Sequence, residues 1–238
     1  MSNNRTEETC IEKPPAKRKT FSYISRTNDE PIKVPEKYDR IDVSKIHDIE
    51  LPADSFGYTI ATENATGIVL CFPVSKDSAM DFEKPDELVA YLHVSMNESR
   101  GIIEVCNGTC KNGGKYISYL LKYYRYKDES KGVGYQLNFN FMIGDLIYFI
   151  SGSFDEAGIT GMRDSIVFSS ILKAKQDAGE EVNIEEFLTT EWSCDPYDPS
   201  FRQGFLMNLS EKEEFDKLFP NHPLSVARAF IEYVVSNN

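Results

Sequence analysis

The chain reads as an α+β domain: a mainly antiparallel β-sheet flanked by helices in an α/β/α sandwich-like arrangement, with a helical C-terminal extension. Three observations predict it: a long alternating stretch at Val133–Phe154 with a turn at its centre, two shorter strand pairs before it, and helical apolar stripes around and after it. In the central stretch Val133, Tyr135, Leu137, Phe139 and Phe141 alternate with Gly134, Gln136, Asn138 and Asn140. Period two over this length means a strand with one buried face. Gly144-Asp145 is a two-residue turn with Gly at its first central position, as a type II′ hairpin requires. Pairing Ile143 with Leu146 sets Phe141 opposite Tyr148, Phe139 opposite Ile150, Leu137 opposite Gly152 and Tyr135 opposite Phe154. Gln136, Asn138, Asn140, Ser151 and Ser153 then share the other face, a candidate binding surface.

The remaining elements follow in order. Residues 1–46 read as a disordered or extended tail, punctuated by Pro14, Pro15, Pro31 and Pro35 and holding the short basic cluster Lys17-Arg18-Lys19. Ser55–Thr62 and Gly67–Val74 form a hairpin around Glu63-Asn64-Ala65-Thr66. Glu87–Met96 is apolar on both faces and reads as a central strand, and Gly101–Cys106 as the next. A Gly-rich loop, Asn107–Gly114, then leads into a helix to about Lys127, in which Ile117, Leu120, Leu121 and Tyr124 recur at helical spacing. After the hairpin, Thr160 is the expected N-cap of a helix to about Lys175. Asn183–Glu186 and Ser210–Glu213 each resemble a capping box opening a short helix. His222-Pro223 opens a final helix with Pro at N1 and the stripe Leu224, Ala227, Phe230, Ile231, Val234. The division expected is a tail to 46, a core domain over 47–176 and an acidic helical extension over 177–238 packed on the core.

Charge narrows the function classes. The net charge is −12, and residues 51–238 carry all of it, with 16 basic against 28 acidic residues. Nucleic-acid binding needs cationic contacts to phosphates, so no nucleic-acid partner is expected. No apolar run approaches a membrane span or a secretory signal, and the five cysteines lack framework spacing. A cytoplasmic protein with reduced thiols and no membrane partner is therefore expected. One basic, aromatic region stands out: the predicted helix holds Lys115, Lys122 and Arg125 with Tyr119 and Tyr123. It is a second candidate binding surface, suited to an acidic protein partner.

Catalytic and metal motifs are thin. The Gly-rich loop matches neither G-x-x-x-x-G-K-[ST] nor G-x-G-x-x-G, so it reads as a permissive turn. Cys106 and Cys110 lack the further ligands zinc needs, and Asp195-Pro-Tyr-Asp198-Pro lacks the calcium-loop pattern, so no metal or other cofactor is expected. The carboxylate runs Asp155-Glu156, Glu180-Glu181 and Glu185-Glu186 read as solvated loops and helix starts. A Cys106–His93 pair on neighbouring strands is the best nucleophilic dyad the chain offers.

The order of strand pairs, the Gly113–Lys127 helix, the Val133–Phe154 hairpin and the Thr160–Lys175 helix resembles the PsbP-like family over about residues 50–176. That resemblance implies an antiparallel sheet flanked by helices and a binding or adaptor role without catalysis. It carries over no site residue. Together these readings point to a non-catalytic protein-binding, adaptor or chaperone-like module of unknown partner. The alternative is a small-molecule hydrolase or transferase with an unrecognised site.

Overall fold

Seven strands form one antiparallel sheet in the order β1-β2-β3-β7-β6-β5-β4 in the computed structural model, which describes residues 21–27, 30–46, 49–124 and 132–238. The strands are β1 (Asp39–Ile41), β2 (Phe56–Ala61), β3 (Ala65–Val74), β4 (Arg100–Thr109), β5 (Lys115–Tyr124), β6 (Val133–Ile143) and β7 (Leu146–Glu156). The helices are α1 (Pro85–Ser95), α2 (Met162–Asp177), the short α3 (Ile184–Phe187), which continues as a wider turn to Trp192, and α4 (Pro223–Asn237). The class is therefore α+β, as the sequence predicts.

The β6–β7 hairpin has the expected register, with Ile143 opposite Leu146 and Tyr135 opposite Phe154. Gly144 takes a positive φ of 59° in the turn, which favours glycine there. Tyr135, Leu137, Phe139 and Phe141 point to the same face as Ile150 and Phe154, with Val69 and Cys71 of β3 and Tyr58 of β2 in line. All of these are buried. Helix α4 lies on this face and buries Leu224, Val226, Ala227, Phe230 and Val234 in the same cluster. A smaller cluster on the opposite face joins Leu92 of α1 to Ile102 of β4 and Leu121 of β5. A third joins Val167 of α2 to Phe187 and Trp192.

Several expectations are corrected. Lys115–Tyr124 is a strand, not a helix, paired along its length with β4 and β6. Both of its faces are covered, so its apolar residues do not alternate with polar ones, and Ile117, Leu120, Leu121 and Tyr124 fall at helical spacing by coincidence. Pro85–Ser95 is a helix, not a strand; Pro85 at its start and Asp86 and Glu87 in the first turn are helix-opening signals. Gly161, at φ 71°, opens α2 in place of Thr160. The capping box lies at Asn208 and Glu211, two residues before the expected one. The expected tail reaches too far, because Ile32, Val34, Tyr38 and Ile41 are core residues. Lys17-Arg18-Lys19 lies outside the described residues. Among the described residues, no helix is long and apolar enough to cross a membrane.

Charged side chains are buried between the α4 face of the sheet and the segment 208–222. The Lys122 Nζ, on a side chain 1 % exposed, donates to the Glu211 carboxylate at 2.8 Å, and the Tyr135 hydroxyl donates to the other Glu211 oxygen at 2.8 Å. Arg163 of α2 reaches the Asp216 carboxylate at 2.8 Å, the Ser225 hydroxyl at 2.9 Å and the Ser210 carbonyl at 2.6 Å. Arg228 of α4 pairs with Glu104 at 2.8 Å and Asp216 at 3.2 Å. Each cation thus has an anionic partner, the condition under which charge is tolerated in an interior.

Candidate functional site, a cleft on the second sheet face

The candidate polar face lies where the strand alternation puts it, opposite α4. Gln136 of β6 and Ser151 and Ser153 of β7 form the floor of a cleft of about 380 Å³. Ile68 and Leu70 of β3 continue the floor, Arg100 and Tyr123 stand at one end, and Phe21, Ile46 and Ile49 form an apolar wall. The Tyr123 hydroxyl lies 2.7 Å from the Ser153 hydroxyl and donates to the Asp155 carboxylate at 2.7 Å. Among the described residues the side chains of Arg100, Gln136 and Ser151 have no hydrogen-bond or ion-pair partner. The cleft therefore offers a cation, an amide and a hydroxyl beside an apolar wall.

Asn138 and Asn140 share this face but do not line the cleft. They are 6 % and 2 % exposed, and the Asn138 Nδ2 and Asn140 Oδ1 have no hydrogen-bond partner among the described residues. Asn138 sits between Tyr119 of β5 and Ser151 of β7, and Asn140 between Ile117 and Phe149.

The second candidate surface does not exist as one surface. Successive residues of a strand point to opposite faces, so β5 separates what a helix would have gathered. Lys122 is buried on the α4 face with Glu211, and its Nζ lies 4.0 Å from the centroid of the Phe205 ring. Lys115 is exposed and pairs with Glu83 before α1. Tyr119 packs against the α1 cluster, and Tyr123 joins the cleft. Arg125 lies outside the described residues. Four cleft residues lie where the sequence offered little: Phe21 and Ile46 in the expected tail, Ile49 just beyond it, and Arg100 between two expected strands. The free cation beside Tyr123 becomes visible only once Arg100 is paired opposite Tyr123 across β4 and β5.

The Cys106–His93 dyad is not assembled. His93 lies on α1 rather than on a strand, its Nε2 is 3.1 Å from the Asp195 carboxylate, and its ring stacks on Phe201 at 4.3 Å. Desolvation and the neighbouring Glu104 carboxylate push the Cys106 thiol up to about 11, which disfavours the thiolate a nucleophile needs. Asp195 closes a turn instead, accepting the N–H groups of Tyr197 and Asp198 at 2.9 Å each. Among the described residues no group of three His, Cys, Asp or Glu side chains is placed to hold a metal ion. No protein-family model matches the chain, and no curated protein resembles it significantly in sequence.

Proposed function

We propose that this protein is a non-catalytic binding module, an adaptor or chaperone-like protein, and that the cleft on the second sheet face receives a short segment of a partner protein. The observation that carries this reading is the set of unpartnered polar side chains, Arg100, Gln136 and Ser151, beside the apolar wall of Phe21, Ile46 and Ile49. A guanidinium without an internal partner favours a carboxylate, in two-pronged geometry where both oxygens are available. An extended segment with an apolar side chain and a carboxylate satisfies the wall and Arg100 together. The PsbP-like resemblance belongs to the same proposal. An antiparallel sheet with α4 on one face and α1 on the other supports it, as do the β6–β7 hairpin and α2, although the third element it drew on is the strand β5. Affinity capture with the full chain tests the reading. A protein recovered by the wild type should be lost with Arg100→Glu and with Ser151→Arg, and kept with Leu218→Asp, which does not line the cleft. Recovery of the same proteins by all three variants would overturn it.

A further inference from the structure

We propose that a groove on the opposite side of the sheet, between α2 and the start of α4, is a separate binding site for a small apolar molecule carrying one neutral hydroxyl. The groove encloses about 350 Å³, within the range of small-molecule sites. Its rim is apolar and open: Ile159, Ile166 and Leu218 are 71 %, 48 % and 70 % exposed. Its base is polar and closed, since Glu156 and His222 both line it and are each 8 % exposed.

The chemistry of the base selects the ligand. The Glu156 carboxylate is held in place by the N–H groups of Val133 and Gly161, each at 2.9 Å. The His222 Nδ1 accepts from the Leu224 N–H at 3.3 Å, and the Arg163 Nη1, which can only donate, faces it at 3.5 Å. Two donors on Nδ1 put the proton of the neutral ring on Nε2. Nε2 lies 3.7 Å from the Glu156 Oε1, too far for a hydrogen bond. A donor and an acceptor thus stand side by side at the base of an apolar groove, attracting each other across 3.7 Å but beyond hydrogen-bond reach. An ammonium group would meet the Nε2–H and the Arg163 guanidinium behind the ring. A carboxylate would meet Glu156. A neutral hydroxyl accepts from Nε2–H and donates to the carboxylate, while the body of the molecule covers Ile159, Ile166 and Leu218.

A matched trio of compounds, 4-tert-butylcyclohexanol, the corresponding primary ammonium and the corresponding carboxylate, tests this by titration into the full chain under amide and methyl NMR. The alcohol should produce saturable shifts at the Gly161 and Leu224 amides and the Ile159 and Ile166 methyls, and should bind about tenfold more tightly than either charged analogue, the worth of one well-placed hydrogen bond. His222→Asn keeps a helix-capping oxygen for the Leu224 N–H but removes the Nε2–H. It should fold and lose about tenfold in alcohol affinity. Leu218→Asp, an exposed change that leaves the base intact, should weaken the alcohol to a similar degree. Absence of saturable shifts in the groove, shifts confined to Gln136 and Ser151, equal affinity of a charged analogue, or undiminished affinity in His222→Asn would each overturn the proposal.

Discussion

Glu156 is the residue on which four elements meet. It ends β7, its carboxylate holds the N–H groups of Val133 at the start of β6 and Gly161 at the start of α2, and it faces His222 at the start of α4. Burial alone would raise its carboxyl, but His222 and the two N–H groups outweigh burial and hold it below its ordinary 4.5. A carboxyl lowered in the folded state contributes stability that is complete above its unfolded value and lost as pH falls through its folded one. Glu156→Gln should therefore be about 2 kcal/mol less stable than the wild type at neutral pH, the typical worth of a hydrogen bond to a charged group. The gap should close progressively below pH 4.5 as the wild-type carboxyl takes up its proton. Urea denaturation at a series of pH values measures it; a gap independent of pH would mean that the carboxylate charge contributes nothing. Asp164 behaves in the opposite sense, because burial and the nearby Glu211 raise its carboxyl. Its ionised form therefore opposes folding near neutrality.

At the scale of elements, β4 and its strap make a checkable case. The loop after Trp192 runs along the outer edge of β4, where the Phe205 N–H donates to the Arg100 carbonyl at 2.8 Å. The Tyr197 hydroxyl accepts from the Val105 N–H and lies 3.2 Å from the Val105 carbonyl. It completes the edge as a neighbouring peptide would. Gly101 is required beneath the strap, because a Cβ there would lie 1.8 Å from the Phe205 carbonyl oxygen. Tyr197→Phe should cost about 1 kcal/mol, one net hydrogen bond, and should speed hydrogen exchange at Val105 while leaving β6 and β7 unchanged. Unchanged exchange at Val105 would count against the hydroxyl's role. Elements with a single exposed face or a sharp turn were legible in the sequence: the β6–β7 hairpin to its register, the β2–β3 hairpin, α2 and α4. Elements covered on both sides were not. In β5, Ser118 and Lys122 are buried beside Leu120, so period two disappears, and only the density of Tyr marked a strand. In α1, the single well-buried residue Leu92 left no apolar stripe to read. The polar floor of the cleft was legible for the same reason as the hairpin, whereas its wall comes from Phe21, Ile46 and Ile49, in a stretch far from the hairpin in sequence that carries no periodic apolar pattern.

The molecule as a whole does not divide where its composition suggests. α4, far in sequence from the segment that leads into β1, shares one core with it: Tyr38 packs on Phe230 at 5.3 Å, and the Asn238 side chain bonds both the N–H and the carbonyl of Lys33. Leu224, Val226, Phe230 and Val234 are essentially fully buried. At roughly 1.5–3 kcal/mol for each large apolar side chain, α4 contributes about 6–12 kcal/mol, comparable with the net stability of an ordinary domain, about 5–15 kcal/mol. A chain ending at Asn221 should therefore lose cooperative thermal unfolding and the dispersed amide spectrum of a folded protein. A cooperative melt from that truncation would mean that the sheet stands without its helix.

The strap over β4 also limits assembly. A sheet grows by adding strands to an open edge, and this one has little edge to offer. At one end β1 is three residues long, and Tyr23 already bridges Ile41. At the other, Phe205 and Tyr197 occupy β4 as far as Val105, leaving only the four residues to Thr109, shorter than a typical strand of about 5–6 residues. Among the described residues, a second copy arriving edge-on finds no free ladder of typical strand length. The same loop that holds the Arg100 carbonyl beside the cleft thus also covers that edge of the sheet as far as Val105.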